Sequence, residues 1–421
     1  MELLNFLESG FFPEMLAFIM AFLQPPYLMT FPKIALIYKA YRYAACLWIL
    51  CFNMKQFDVK RVFWYVGIFM FYLVLSLSTV LSGHYSLAIP EIKNLAFSLC
   101  FIRIVDFYSG RSLIKTVSTL RIAFEALFWI NLVTVLLRPA GLYTVVNDVN
   151  TTDFSRGFFL GHENNAIEYI IPVISLSMVE SYIRKGKLDL HVLILIICSF
   201  YMVLFTWSAN AIICVAIFAL FYFVFEMPFA RFFRCAYFLM ASAGATLVLA
   251  VFHLQEKFAW FITTVLKKNM TLSKRTFIWE ASVRWIMSRP LIGYGVETAE
   301  EKYAKIQAVN SCHNYYLDML YYGGIVLLFI FIVLIAGYVL SVCDISDNKL
   351  RQIAATQLGV YSILWIATPV HRYTIFMMFC VWVLLSRLPE LNPLTDLNDM
   401  KSLSILIRHG NQKADTASRS I

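Results

Sequence analysis

Tyr322-Gly-Gly-Ile-Val-Leu-Leu-Phe-Ile-Phe-Ile-Val-Leu-Ile-Ala-Gly-Tyr-Val-Leu-Ser-Val-Cys343 carries no charged side chain along its whole length. At a rise of about 1.5 Å per residue, such a run crosses about 30 Å of hydrocarbon as a helix. Further apolar stretches near 10–24, 32–53, 62–82, 86–105, 119–138, 165–183, 190–206, 209–227, 234–254, 353–369 and 372–387 bring the expected total to about 12 spans. Two are atypical: 10–24 is short and holds Pro13 and Glu14, and 32–53 begins with Lys33, Lys39 and Arg42. Composition agrees, with 60% hydrophobic and 14% charged residues among 421 and a mean hydropathy of +0.71. A soluble domain carries about 25% charged residues, so an ordinary soluble enzyme, a disordered chain and a DNA-binding module are excluded. The formal charge of +9 fits basic loops beside membrane spans, not a nucleic-acid partner. The expected fold class is all-α: a polytopic transmembrane helix bundle with a large helical extracytoplasmic loop.

Lys and Arg mark the cytoplasmic connections of such a bundle. Alternate connections hold Lys55, Lys60 and Arg61; Arg111 and Lys115; Arg184, Lys185 and Lys187; Arg231 and Arg234; Lys349 and Arg351; and the tail with Lys401, Arg408, Lys413 and Arg419. The short connections at 25–31, 83–85 and 207–208 have none, and the last one has Arg372 alone. Both termini are therefore expected in the cytoplasm, with the longer loops 139–164 and 255–321 outside. No signal-peptide cleavage pattern is visible and the first apolar segment reads as retained. The expected organisation is a bundle over 1–254, the large loop 255–321, three spans over 322–387 and a polar tail 388–421, disordered from about 409. Cys312 is the one cysteine expected to face outward, so no second partner for a disulfide is at hand, and the thiols read as packing residues. Arg121 and Glu125 read as a structural ion pair, and the 37 Phe and 23 Tyr as mostly lipid contact and interface belt.

The 255–321 loop carries structure of its own. Glu256–Lys268 reads as an amphipathic interfacial helix. Residues 273–290 read as a second helix stopped by Pro290, with Phe277, Ile278, Trp285 and Ile286 as its apolar face and Glu280 paired to Arg284. Gly293-Tyr-Gly295 predicts a turn, and Thr298-Ala-Glu-Glu301 a capping box for a short helix through about 308.

The loop closes with Cys312-His-Asn-Tyr-Tyr-Leu-Asp-Met-Leu-Tyr-Tyr-Gly-Gly324. His313-Asn314, then Leu317 and Leu320, then Gly323-Gly324 opening an apolar helix, resembles the His-Asn…Leu…Gly signature of the O-antigen polymerase and O-antigen ligase superfamily. Arg275…Trp279 followed by Ser288-Arg-Pro-Leu-Ile-Gly-Tyr-Gly295 looks like that family's Arg…Trp…Pro-Leu-Phe-Gly-x-Gly segment. Arg156-Gly157…Gly161-His-Glu-Asn164-Asn165 is similar to its Gly…Pro-Asn stretch, although Pro is absent. Thr206-Trp-Ser-Ala-Asn210 stands where the family has Thr-x-Ser-Arg-Gly/Ala; Ala209 replaces the Arg, so that arginine's role is not carried over.

The resemblance implies glycan transfer outside the bacterial cytoplasmic (inner) membrane, with undecaprenyl-pyrophosphate-linked oligosaccharides as donor and acceptor, the bilayer as solvent and a chain-length regulator protein as a further partner. It also implies direct displacement with inversion. The residues fit this chemistry. A pyrophosphate leaving group needs cations, and the outer loops offer Arg156, Arg275, Arg284 and Arg289 but no carboxylate cluster suited to a metal. No metal and no cofactor are expected. An imidazole suits deprotonation of the acceptor hydroxyl near neutral pH, which nominates His313 as general base, with Asn314, Gly293 and Gly295 in support. His162 is the competing outward base, and His84, His371 and Arg372 also face outward. A polymerase of lipid-linked repeat units for O-antigen or capsule is the leading reading. A ligase onto lipid A core shares the chemistry, and a flippase of the same lipids is the competitor from another class.

Overall fold

The protein is described by a computed structural model covering residues 10–52, 61–146, 154–252, 275–308, 311–368 and 374–391. Each expected span contains a helix. In chain order these are α1 (Pro13–Phe22), the single turn α2 (Pro26–Met29), α3 (Pro32–Phe52), α4 (Val62–Leu81), α5 (Tyr85–Ser109) and α6 (Leu113–Leu137). After a small sheet come α7 (Ile167–Lys185), α8 (Leu190–Phe205), α9 (Ala209–Val224) and α10 (Cys235–Thr246), which continues as a π-helical turn over Leu247–Val251. Two loop helices follow, α11 (Arg275–Ser288) and α12 (Ala299–Ile306), then α13 (Tyr315–Cys343), α14 (Asn348–Leu364) and α15 (Ile375–Leu385). Pro32–Cys51, Val62–Leu81, Leu113–Leu137, Glu163–Lys185 and Tyr315–Cys343 are long and apolar enough to cross a membrane. The chain is a polytopic helical membrane protein.

Several helices begin earlier than apolarity alone indicates, because their first turns are polar and face the core. Ser112 caps α6 by accepting from Lys115 N–H at 3.4 Å. Beyond it, Thr116, Ser118 and Thr119 are buried. Asp347 caps α14 at 2.7 and 3.0 Å, and Asn314 caps α13 at 3.1 Å. The 139–164 loop holds an unforeseen antiparallel sheet, β1 (Tyr143–Val146), β2 (Phe154–Phe158) and β3 (Gly161–His162), with Thr144 opposite Arg156 and Gly157 opposite His162. This sheet and the 275–314 segment lie at one end of the bundle, the loop face.

The other end is the basic face. There Asp106 lies among Arg61, Arg103 and Arg387 at 3.8, 3.3 and 3.6 Å, with Glu390 bridging Arg61 and Arg387. Nearby, Arg121 meets Glu125 at 2.9 Å as expected, and Glu180 joins it to Arg184. Charges this deep persist only when paired, so these clusters fix the helix ends against one another.

The aromatic residues depart from expectation. Many are internal: Trp365 and Trp382 are 0% exposed and stack with Tyr315, Phe331 and Tyr338 at centroid distances of 5.1–6.3 Å. Helix α7, almost wholly buried, runs through the centre. Its polar Glu168, Ser175 and Ser177 gave it the look of an ordinary span, while its neighbours shield them from lipid.

The region 253–274, with the expected Glu256–Lys268 helix, lies outside the described residues, as do His371, Arg372 and the tail after 391.

Candidate active site on the loop face

The 275–314 segment is joined to the bundle by backbone hydrogen bonds. Helix α13 breaks at Gly324, where φ is 63° and ψ −162°. Into this break fits the strand-like segment 290–296. Tyr294 and Gly295 donate to the carbonyls of Tyr321 and Tyr322 at 2.8 and 2.9 Å, while Ile325 donates to Pro290 O at 2.8 Å. On the other side Val296 N–H meets Thr79 Oγ1 at 2.9 Å and the Ser78 hydroxyl meets Ile292 O. A Cβ on Gly293 would stand 2.5 Å from Tyr321 O, and one on Gly295 would overlap the Thr79 backbone. Both glycines have positive φ. Their support is architectural, because only glycine lets three backbones approach this closely.

Helix α11 then lies against α13 and the π turn. Its buried face is Ile278, Trp279, Ser282 and Ile286, not the expected Phe277 and Trp285, which are 57% and 37% exposed. Small Ala281 and Ser282 let α11 approach, and the Ser282 hydroxyl rests against the Cys312 thiol. Trp285 turns away and donates to Lys305 O at 3.0 Å. The expected Glu280–Arg284 pair is not formed; both residues are exposed without a bridge.

Cys312 corrects a second expectation. It is fully buried, its N–H bonded to Asp318 Oδ1 at 2.7 Å, and burial pushes its thiol pKa up. Lys302 sits beside it, 2% exposed, with Nζ 2.5 Å from Tyr322 OH and 4.0 Å from Asp318 Oδ1. Desolvation opposes the Lys302 charge, but Tyr322, Cys312 and Asp318 outweigh it and raise its pKa. The Thr298 capping box forms as expected and starts the helix that delivers this lysine.

On this base stands His313, half-buried, with φ of 54° and its N–H on Ser311 Oγ at 3.2 Å. Asn314 follows, fully buried, donating to Ile366 O at 2.9 Å and Thr246 Oγ1 at 3.2 Å. A second turn grips the same end of α14: Asn210 donates to Leu364 O at 2.8 Å and Thr368 Oγ1 at 2.9 Å. Its Trp207 also has positive φ, 51°. Bulky residues rarely adopt this conformation, and strain of this kind concentrates at working sites. Two such residues flanking one helix end single out the 206–210 and 311–314 turns.

The arginines divide. Arg156, on β2, packs over the Phe205 ring at 4.8 Å, just before the first turn, and pairs with Glu163 at 2.7 Å. Arg275 opens α11, two helical turns before Ser282. No carboxylate among the described residues pairs with it, and withdrawal from water pushes its guanidinium down to about 10. Arg289 is at the far end of α11, roughly 20 Å away by helical rise. It rests over Tyr294 at 4.9 Å and reaches Ser82 at 3.4 Å. Arg284 projects outward. One pyrophosphate therefore meets Arg275 without Arg289.

His162 is held by Asn164 N–H at 3.1 Å and lines a crevice of about 10 Å³, room for one water at most. His84 pairs with Glu301 at 3.3 Å. Among the described residues no group of three His, Cys, Asp or Glu is placed to hold a metal ion.

The sequence model of the O-antigen ligase family matches residues 194–332, from α8 through the His313 turn and the break in α13. Over those residues the chain is similar to the O-antigen ligase family, which supports a place in the O-antigen polymerase and ligase superfamily. Both strained turns and Arg275 fall inside the matched span, whereas Arg156 and α14 lie outside it. No curated protein matches the chain. Enzymes of the class act on lipid-linked glycans in the membrane.

Proposed function

We propose that this protein is a polymerase of lipid-linked oligosaccharide repeat units, working on the outer side of the bacterial cytoplasmic membrane with undecaprenyl pyrophosphate as leaving group. The observation that carries it is Arg275, a guanidinium drawn out of water with no carboxylate partner among the described residues, at the head of the helix that buttresses the His313 turn. Such a cation is costly to keep and gains most from an anionic ligand. Orientation is supported by the concentration of Arg61, Arg103, Arg111, Arg184, Arg231 and Arg387 at the end opposite the loops, which the positive-inside rule assigns to the cytoplasm.

In the reaction, the acceptor sugar hydroxyl attacks the donor's anomeric carbon while its proton passes to the His313 imidazole. The new carbon–oxygen bond replaces the bond to the pyrophosphate, which leaves with the electron pair. Arg275 neutralises that developing charge, and Arg156 shares in it by exchanging Glu163 for phosphate. Left-handed backbone at His313, fixed by Ser311 and Asn314, holds the imidazole at one place on the loop face.

The ligase reading is favoured by one observation, the description of the matched family itself. Purified protein supplied with lipid-linked repeat units alone should give a ladder of lengthened glycans, also in the presence of EDTA. A product formed only when lipid A core is added assigns the protein to the ligases. Transport of the lipid across vesicles without any new glycosidic bond refutes both.

A further inference from the structure

A second cationic site opens on the loop face, separate from the His313 turn. A cavity of about 290 Å³ lies between α1, α3, α5, α7 and α15, lined by Arg42, Tyr72, Asn94, Phe97, Ser98 and Tyr169 among others. Arg42 lies over the Phe97 ring at 4.5 Å, and its buried Nε has no hydrogen-bond partner. No carboxylate among the described residues pairs with it. Asn94 offers an amide held by Glu91 at 3.3 Å, and Tyr72 accepts from Ser98 at 3.0 Å.

The surrounding charge is one-sided. Residues 32–52 and 85–98 carry Lys33, Lys39, Arg42 and Lys93 against the single carboxylate Glu91, a net charge of +3. The three lysines are exposed and form no ion pair among the described residues. These cations lie in the loop-face halves of α3 and α5. That end is the one where α2 meets the small sheet and His84 meets the outer loop. Membrane helices keep lysine and arginine away from the outer side, so such a cluster needs an anion to explain it. Lys33 stands at the start of its helix, and Lys39, Lys93 and Arg42 lie about 10–15 Å further in, so the cluster leads from the loop face down to the cavity. Helix α3 is exposed along most of its length, so a lipid enters from the side.

We propose that this cavity holds the phosphate or pyrophosphate head of the acceptor lipid, with Arg42 as its principal partner, Asn94 as a hydrogen-bond donor and the lysines drawing it in. This rests on the transferase reading above: any such reaction that joins two membrane-anchored glycans must seat a second phosphorylated lipid besides the donor. Two anions this far out of water need two cationic sites, and Arg42 and Arg275 stand on different elements of the bundle.

Native mass spectrometry of the full-length protein in phosphatidylcholine nanodiscs, titrated with undecaprenyl pyrophosphate, counts the bound lipid. The wild type should take two equivalents, Arg42→Gln one and Arg275→Gln one. Each loss should be about tenfold or more in affinity, as for a charge-assisted hydrogen bond. Two equivalents of unchanged affinity in Arg42→Gln overturn the proposal. So does a single wild-type equivalent that only Arg275→Gln removes. An Arg42-dependent equivalent with no effect of Arg275→Gln supports this site and refutes the donor site instead. Displacement of the Arg42-dependent equivalent by equimolar phosphatidylglycerol, or by inorganic pyrophosphate, also overturns it, in favour of a structural lipid or a free anion. The exposed pair Lys39→Gln with Lys93→Gln, which cannot disturb the core, should weaken this equivalent several-fold and flatten its salt dependence; unaltered binding counts against the proposal.

Discussion

Replacing Gly324 with Ala should detach the 275–314 segment from the bundle. At φ 63° and ψ −162° the residue occupies a region open essentially to glycine, and a side chain there costs about 1–3 kcal/mol. Its Cβ would overlap the Leu291 carbonyl, pushing away the segment whose Pro290 and Leu291 carbonyls accept from Ile325 and Val326 at 2.8 and 3.3 Å. Losing those two bonds adds about 1 kcal/mol each, for a total of about 3–5 kcal/mol. Thermal unfolding in detergent at a fixed scan rate should show a clearly lowered midpoint. Trypsin should cut at the exposed Arg284 while the spans stay intact. Gly244→Ala, where no atom lies within 4 Å of the new methyl, is the matched control and should leave both readouts unchanged or slightly improved. A Gly324→Ala protein with the midpoint and cleavage pattern of the wild type would mean that the helix break does not hold the loop.

His313→Ala should abolish glycan lengthening at unchanged thermal stability, and turnover persisting at the normal rate removes it as base. Arg275→Ala should cost more activity than Arg156→Ala, since Arg156 already has Glu163 as partner; equal losses in a turnover assay contradict that ranking. Lys302→Met leaves Asp318 buried without its lysine and should destabilise by about 3–5 kcal/mol, with part of the loss recovered in Lys302→Met/Asp318→Asn; purely additive unfolding midpoints would show the two do not interact. The backbone N–H of Thr298 holds the Glu301 carboxylate below its usual pKa, so its contribution to α12 is present above the carboxylate range and is lost as pH falls through it. Protease sensitivity of 299–306 should rise on acidification in the wild type but not in Glu301→Gln, which has no carboxylate to protonate.

The bundle was legible because hydropathy reports what lipid sees. Runs such as 322–343 and the Pro290 stop need no tertiary knowledge, and the Thr298 capping box is a local rule. Helix starts at Leu113 and Asn348 were missed because their polar first turns face protein, a fact apolarity does not encode, although Ser112 and Asp347 were readable caps. The separation of Arg275 from Arg289 followed from helical rise alone. What no pattern announced was the left-handed backbone at Trp207 and His313 and the burial of Lys302. Each depends on contacts between segments far apart in sequence: Asn210 and Asn314 meeting at residues 364–368, and α12 docking under Tyr322.

Because residues 290–296 are stitched to α4 and α13 atom by atom, an insertion or deletion inside them displaces the whole seam at once. An exchange of loop sequence among relatives that keeps this seam and the Lys302–Tyr322 contact should yield folded chimaeras, and one that cuts through Leu291 or Gly293 should not. Diversity is thus expected at exposed positions such as Phe277, Arg284 and Met287.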